Sequence, residues 1–184
     1  MSPSHYRDND GNLEAVKLVL VSSETGHWYS GLRSNSAQVD FVGGHRDTTD
    51  CSRLEAISRE ITEELEPGRP RDTVIHAVQH APSSSGIAEF NGRLYNIHYY
   101  AAILPERTLS HLRLSTEGSR ELYAWGPRPP ASYASSMGRE SLASASQDAV
   151  TAARATQYHP EPLAPSDPSH LPPTATLRTH LSEN

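Results

Sequence analysis

The sequence REITEE at residues 59–64 closes a run, Ser52 to Leu65, that has the pattern of an amphipathic helix. Asp50 or Ser52 can cap its N-terminus, and Ser52 and Glu55 have the spacing of a capping box. Four apolar residues recur at helical spacing and form one stripe: Leu54, Ile57, Ile61 and Leu65. The run therefore predicts a helix that packs one face against a core.

The acidic residues of this helix converge on a different face. Glu60, Glu63 and Glu64 stand at i, i+3 and i+4, so their carboxylates repel one another unless a cation sits among them. Carboxylate oxygens are hard ligands that suit Mg²⁺ or Mn²⁺. Arg59 precedes Glu63 by four residues and can pair with it. The alternative is the solvated acidic face of an ordinary amphipathic helix.

A glycine pair upstream gives this helix its context. Gly43 and Gly44 follow a predicted strand, Gln38 to Val42, and allow a tight turn whose amides approach a ligand. The order of strand, glycine loop, capped helix and REITEE resembles the Nudix box. The signature of that box is G-x5-E-x7-R-E-U-x-E-E-x-G-U, where U is a bulky aliphatic residue. Residues 59, 60, 61, 63 and 64 match its R-E-U-x-E-E core one for one.

The loop of the box departs from the signature. Counting back from Arg59 puts Cys51 at the acidic position and His45 at the glycine position. One extra loop residue restores Gly44 and puts Asp50 at the acidic position, and a loop tolerates such an insertion. The closing Gly-U of the box is replaced by Glu66-Pro67. We expect the metal-binding core to be intact and the loop geometry to be altered.

The resemblance covers residues 13–157 and implies an α+β fold, the Nudix-type α/β/α sandwich with a mixed central sheet. It implies hydrolysis of a nucleoside diphosphate linked to another moiety X, with Mg²⁺, or Mn²⁺, as cofactor. The implied metal ligands are Glu60, Glu63 and Glu64. The implied catalytic residues are Arg59, Glu63 and Glu64, joined by a general base or further ligand from the loop before Trp125, either Glu117 or Glu121. The implied substrate-binding residues are Arg33, which can reach a phosphate, and the backbone amides of Gly43 and Gly44.

Other functions stay open at this point. A non-nucleotide diphosphate, such as a prenyl diphosphate, is an alternative substrate. An isoprenyl diphosphate isomerase would need a Cys–Glu pair, and Cys51 has no convincing counterpart. A non-catalytic Nudix-like domain could bind a nucleotide diphosphate derivative as a sensor, or a scaffold protein could carry the acidic face. The loops at 81–92 and 106–121 are the expected determinants of substrate choice.

Composition narrows the class of protein. A chain of 184 residues is long enough for one domain with a proper core. Its net charge of −6 argues against a nucleic-acid surface. A single cysteine, Cys51, excludes an internal disulfide, and no apolar run is long enough to span a bilayer. We expect a cytoplasmic protein with a small-molecule diphosphate substrate, no nucleic-acid or membrane partner, and a possible homodimer.

The rest of the chain reads as strands followed by one late helix. Predicted strands cover 15–22, 27–33, 74–80, 87–90 and 94–104, with a hairpin turn at Asn91-Gly92. A strand at 74–80 would hold His76 and His80 about 13 Å apart, too far to share a metal. A helix is predicted at 138–157, and Trp28 and Tyr29 are predicted to pack rather than bind. Residues 1–12 and the proline-rich 158–184 are predicted to be disordered.

Overall fold

A mixed sheet of six strands lies between two layers of helices in the computed structural model, which describes residues 4–133 and 140–156. The strands are β1 (Leu13–Ser22), β2 (Trp28–Arg33), β3 (Val39–Asp40), β4 (Ser83–Phe90), β5 (Arg93–Leu104) and β6 (Leu122–Arg128). The helices are α1 (Arg53–Glu64), α2 (Arg69–Val78), α3 (Glu106–Leu109), α4 (Gly118–Glu121) and α5 (Glu140–Thr156). The α+β prediction is confirmed.

The sheet runs β3-β2-β1-β5-β4, with β6 paired to β2. β1 and β5 are parallel in a register that pairs Leu13 with Tyr95 and Ser22 with Leu104. The other ladders, β1–β2, β2–β3, β2–β6 and β4–β5, are antiparallel. The sheet is therefore mixed, as predicted, and its parallel pair is buried at the centre.

Alternate residues of β1 face two separate cores. Val16, Leu18 and Leu20 point towards α1 and α2 and pack with the apolar stripe of α1. The odd-numbered residues point to the opposite face, where α5 contributes Leu142, Ala145, Ala149, Val150 and Ala153. The buried side chains on both faces show why β1 is apolar almost throughout. Trp28 and Tyr29 are 4% and 3% exposed, which confirms packing as their role.

Local signals in the sequence placed α1 and the hairpin correctly. Ser52 caps α1, and its hydroxyl accepts a hydrogen bond from the Glu55 amide at 3.0 Å. The Glu55 carboxylate accepts from the Cys51 amide at 2.7 Å instead of the Ser52 amide, a shifted form of the capping box. Asn91 and Gly92 have φ of 51° and 73°, and they join β4 to β5.

The prediction of a strand at 74–80 is wrong, because residues 74–78 belong to α2 and residues 79–80 form the turn after it. Pro70 lies at the start of this helix, where its fixed φ favours helix and its missing N–H costs nothing. Val74 and Val78, four residues apart, are its buried residues. The rings of His76 and His80 are consequently 5.7 Å apart between centroids, not the strand separation that was expected.

Part of the N-terminal segment for which disorder was predicted is described by the structure. Residues 4–12 form hydrogen bonds and isolated bridges with the rest of the domain. The predicted disordered tail at 158–184 lies outside the described residues, and so do the first residues of the predicted helix at 138–157. No helix in 4–133 or 140–156 has both the length and the apolar character that a membrane crossing requires.

Candidate active site

The glycine pair at the end of β3 is required by close packing on both sides. A Cβ on Gly43, which has φ of 136°, would lie 2.1 Å from the Val16 carbonyl oxygen of β1. A Cβ on Gly44 would lie 2.7 Å from Oε1 of Glu60. The Gly43 amide donates a hydrogen bond to Oε2 of Glu64 at 3.0 Å. The pair therefore brings the loop against two carboxylates of α1, and one amide of the pair orients a carboxylate directly.

Arg59 ties the loop to α1. Its Nε and Nη2 donate to both carboxylate oxygens of Asp50, at 3.2 and 3.0 Å, and Nη2 also donates to the His45 carbonyl at 2.9 Å. Its Nη1 donates to Glu60 at 2.9 Å and to Glu63 at 3.2 Å. Asp50 is buried, and the structure therefore gives it the acidic position that one extra loop residue predicted. Cys51, which would take the acidic position if the loop had no extra residue, is exposed.

Charge pairing sets the protonation of this network. Burial alone would raise the pKa of Asp50, but hydrogen bonds from Arg59 and from the Asp47 amide hold that pKa below its usual value. The same pairing raises the pKa of Arg59. The Asp50–Arg59 pair is therefore charged at neutral pH.

The three carboxylates of α1 differ in environment. Glu60 is 8% exposed and Glu64 is 5% exposed. Burial raises the pKa of Glu60, and Arg59 opposes that rise in part. Burial, together with the charge of Glu60, raises the pKa of Glu64 to about 8, against the opposing effect of Lys17 and the Gly43 amide. The Glu63 side chain is 41% exposed and pairs with Arg59.

These carboxylates line one end of a cavity of about 560 Å³. Lys17 enters it from β1, with Nζ 2.9 Å from Asp40 and 3.2 Å from the Gly43 carbonyl oxygen. Arg33 also lines the cavity, and its Nε is 3.1 Å from Asp40. The predicted phosphate contact, Arg33, is thus at the cavity, and a second cation that the sequence reasoning missed stands beside it.

Glu117 and Glu121 both reach the same cavity. Their loop is held against the end of α1. A Cβ on Gly118 would lie 2.2 Å from the Glu64 carbonyl oxygen, and the Ser115 amide donates to that oxygen at 2.8 Å. Both glutamates are exposed, and Glu117 is the one that directly precedes the packed glycine.

No family model and no curated protein matches the sequence. Solved structures do match. An Ap4A hydrolase binary complex from C. elegans has a TM-score of 0.57 at 16% identity, over 78% of this chain and 98% of its own. The E. coli dihydroneopterin triphosphate pyrophosphohydrolase has a TM-score of 0.53 at 14% identity, over 75% and 92%. A MutT protein from Methanosarcina mazei Go1 has a TM-score of 0.52 at 12% identity, over 76% and 94%.

The chain has the Nudix fold. The structural likeness and the box agree, since the residues that match the signature are those that line the cavity. Arg59, Glu60, Glu63 and Glu64 line it together with Gly43 and Gly44.

The donor chemistry of this Nudix box fits a hard divalent cation. Glu60 and Glu64 place buried carboxylates against a glycine loop that has no side chain to shield them. Burial raises the pKa of both groups, so a cation would relieve an unfavourable charge. In 4–133 and 140–156, no three His, Cys, Asp or Glu side chains are already arranged to hold a metal. Arg59 pairs with Glu60 and Glu63, and the Gly43 amide donates a hydrogen bond to Glu64.

Several cavity residues escaped the sequence reasoning. Lys17 is a lone charge in an otherwise apolar strand, AVKLVLV at 15–21, and that interruption was the available signal. Phe90 and Asn91 fall within 81–92, a segment that was expected to determine substrate choice. Other lining residues carry no local signal, because tertiary folding alone brings them together: His5, Asp40, His45 and Tyr95.

Proposed function

We propose that this protein hydrolyses the diphosphate bond of a nucleoside diphosphate linked to a moiety X. The observation that carries the proposal is the convergence of Arg59, Glu60, Glu63 and Glu64 on one end of a cavity in a Nudix fold. That cavity, at about 560 Å³, lies within the size range of small-molecule sites. Two cations, Lys17 and Arg33, line the same cavity and complement the charge of a diphosphate.

The proposed cofactor is Mg²⁺, with Mn²⁺ as the other hard cation that this donor set suits. Glu60, Glu63 and Glu64 would hold it. When bound, the cation would neutralise diphosphate oxygens and lower the pKa of a bound water. Because Glu60 and Glu64 are buried beside the glycine loop, the diphosphate would be bound close to the backbone of Gly44.

Residues of the protein would position the carboxylates and supply the general base. Arg59, held on both oxygens of Asp50, positions the Glu60 and Glu63 carboxylates. A general base must take a proton from the attacking water, and we assign this to Glu63, Glu117 or Glu121, which line the cavity and have exposed carboxylates.

The test is a comparison of steady-state rates on a panel of nucleoside triphosphates, dinucleotides, nucleotide sugars and prenyl diphosphates, each with and without Mg²⁺. We expect a Mg²⁺-dependent rate on a nucleotide substrate that falls at least about a thousandfold in Glu64→Gln. Glu89→Gln, a matched change at an exposed glutamate of β4, should keep the full rate. Cleavage that survives Glu64→Gln contradicts the proposed site. Cleavage confined to prenyl diphosphates contradicts the proposed substrate class.

A second comparison identifies the general base. Loss of a general base costs about a hundred- to ten-thousandfold in kcat. Glu117→Gln and Glu121→Gln should differ sharply in kcat, with the larger loss at Glu117, because its neighbour Gly118 packs against the backbone of Glu64. Equal and small losses in both variants would move the assignment to Glu63.

A further inference from the structure

The cavity has two chemically different ends. The carboxylates of α1 form one cluster of lining residues, which we call the acidic end. Four rings in contact form a second cluster, which we call the ring-lined end: His5, His45, Phe90 and Tyr95. Ile97 of β5 and Asn91 of the hairpin turn complete that second end. The proposed function accounts for the acidic end alone, so the ring-lined end needs an occupant of its own.

The rings form a connected surface. His5 stacks on His45 with centroids 4.1 Å apart and planes 19° apart. The His45 ring lies 5.6 Å from Tyr95, and Phe90 meets Tyr95 edge-on at 5.5 Å. Such distances are those of interacting aromatic pairs. Planar faces and polar ring edges therefore occur together in one wall of the cavity.

The N-terminal segment holds His5 in this wall. His5 forms an antiparallel bridge with Asp47, and its Nδ1 lies 3.4 Å from the Asp47 carboxylate. On either side of His5, the Tyr6 amide donates to the Arg46 carbonyl oxygen and the Thr48 amide donates to the Ser4 carbonyl oxygen, each at 2.8 Å. The segment thus lies as an extra strand along the Nudix loop, and its position is fixed by backbone hydrogen bonds.

The ring-lined end adjoins the acidic end directly. His45 follows Gly44, whose backbone contacts the Glu60 carboxylate. The His45 carbonyl accepts a hydrogen bond from Arg59 at 2.9 Å. A ligand whose phosphates lie at the carboxylates would therefore extend its next group towards the rings.

We propose that His5, His45 and Tyr95 bind the planar heteroaromatic base of the substrate, and that the N-terminal segment is part of this base site. The inference rests on the proposed function for the position of the phosphates. Aromatic faces stack on any base and are tolerant of its identity, so a purine, pyrimidine or other planar heterocycle fits. The polar groups around the rings, Asp47 and Asn91, favour a heterocycle with hydrogen-bonding edges over a prenyl chain.

The test measures binding of nucleoside monophosphates, which carry a base but have no diphosphate bond to cleave. AMP, GMP, CMP and UMP would be compared with ribose 5-phosphate by calorimetry, on the full-length protein without metal. Stacking on one base should make the best nucleotide bind at least about tenfold more tightly than ribose 5-phosphate. A tenfold difference in Kd corresponds to about 1.4 kcal/mol of binding free energy. His5→Ala should remove about three- to tenfold of that advantage and leave ribose 5-phosphate binding unchanged. His5→Phe, which keeps a ring, should restore it. His76→Ala, a histidine outside the cavity, is the matched control.

Equal binding of nucleotides and ribose 5-phosphate, or no binding of any, overturns the base site. An unchanged nucleotide advantage in His5→Ala overturns the role of the N-terminal segment. These results are separable from the proposed hydrolysis. Cleavage with a KM independent of the base would leave the enzyme in place and remove the base site. Base-dependent binding without cleavage of any diphosphate would support the base site and contradict the proposed hydrolysis.

Discussion

Replacing Glu64 by Gln should stabilise the metal-free protein at alkaline pH and abolish its stabilisation by Mg²⁺. Glu64 is 5% exposed, and its side-chain carboxylate accepts a hydrogen bond from the Gly43 amide at 3.0 Å. A glutamine oxygen can accept that bond as well as a carboxylate does. The substitution therefore removes a buried negative charge and keeps the shape and the hydrogen bond.

The sign follows from the raised pKa of Glu64. The unfolded chain releases this proton near pH 4.5, whereas the folded protein holds it until about pH 8. The stability that the proton contributes is complete below pH 4.5 and is lost as pH rises to about 8. A pKa rise of that size corresponds to about 5 kcal/mol. Relaxation around a buried charge reduces such costs, so we expect about 2–4 kcal/mol, or about 5–10 °C in Tm.

The assay is thermal unfolding of wild type and Glu64→Gln at pH 5 and pH 8.5, with EDTA or with Mg²⁺. In EDTA the two should unfold together at pH 5, and the variant should be more stable at pH 8.5. Mg²⁺ at a hundredfold excess over its Kd should stabilise wild type by about 2.7 kcal/mol and leave the variant unchanged. Glu89→Gln should behave as wild type throughout. A variant that is less stable than wild type at pH 8.5, or equal Mg²⁺ stabilisation of both, would refute the reasoning.

Two further predictions concern the loop. Gly43→Ala should cost at least about 3 kcal/mol in urea unfolding, since its Cβ meets the backbone of β1 at positive φ. Gly44→Ala should cost less stability but lower kcat at least about tenfold, because its Cβ meets the side-chain carboxylate of Glu60 and not backbone. Equal stability losses in the two variants would contradict this. Asp50→Asn should destabilise by about 1–3 kcal/mol at pH 7. The loss should shrink as pH falls below 3.8, because the pKa of Asp50 is lowered in the folded protein and its pairing with Arg59 is lost on acidification. A loss independent of pH would show that the charge of Asp50 is not what matters.

The sequence was most informative where a local rule determines the structure. The helix of the box has a cap at Ser52, an apolar stripe and fixed carboxylate spacing, and all three survive folding. Asn91-Gly92 specified its hairpin, because few residues other than Asn and Gly adopt positive φ there. The residues of β1 read as a central strand, and they form one.

The sequence was least informative where tertiary contacts override local preference. VIHAVQH at 74–80 is rich in β-branched residues, yet Pro70 and burial of Val74 against the first core make most of it helical. The polar residues 4–12 have no apolar pattern, and they are ordered by backbone bonds to the Nudix loop. The ring-lined end of the cavity joins residues 5, 45, 90 and 95, which no spacing rule connects.

The measurement that tests the central claim most directly is a cleavage reaction in ¹⁸O-labelled water, analysed by mass spectrometry. The account predicts one ¹⁸O atom in one of the two phosphate-bearing products of a nucleoside diphosphate derivative, only when Mg²⁺ or Mn²⁺ is present, and none with Glu64→Gln. Products that carry no ¹⁸O, label that appears without a divalent cation, or label that persists in Glu64→Gln would contradict it.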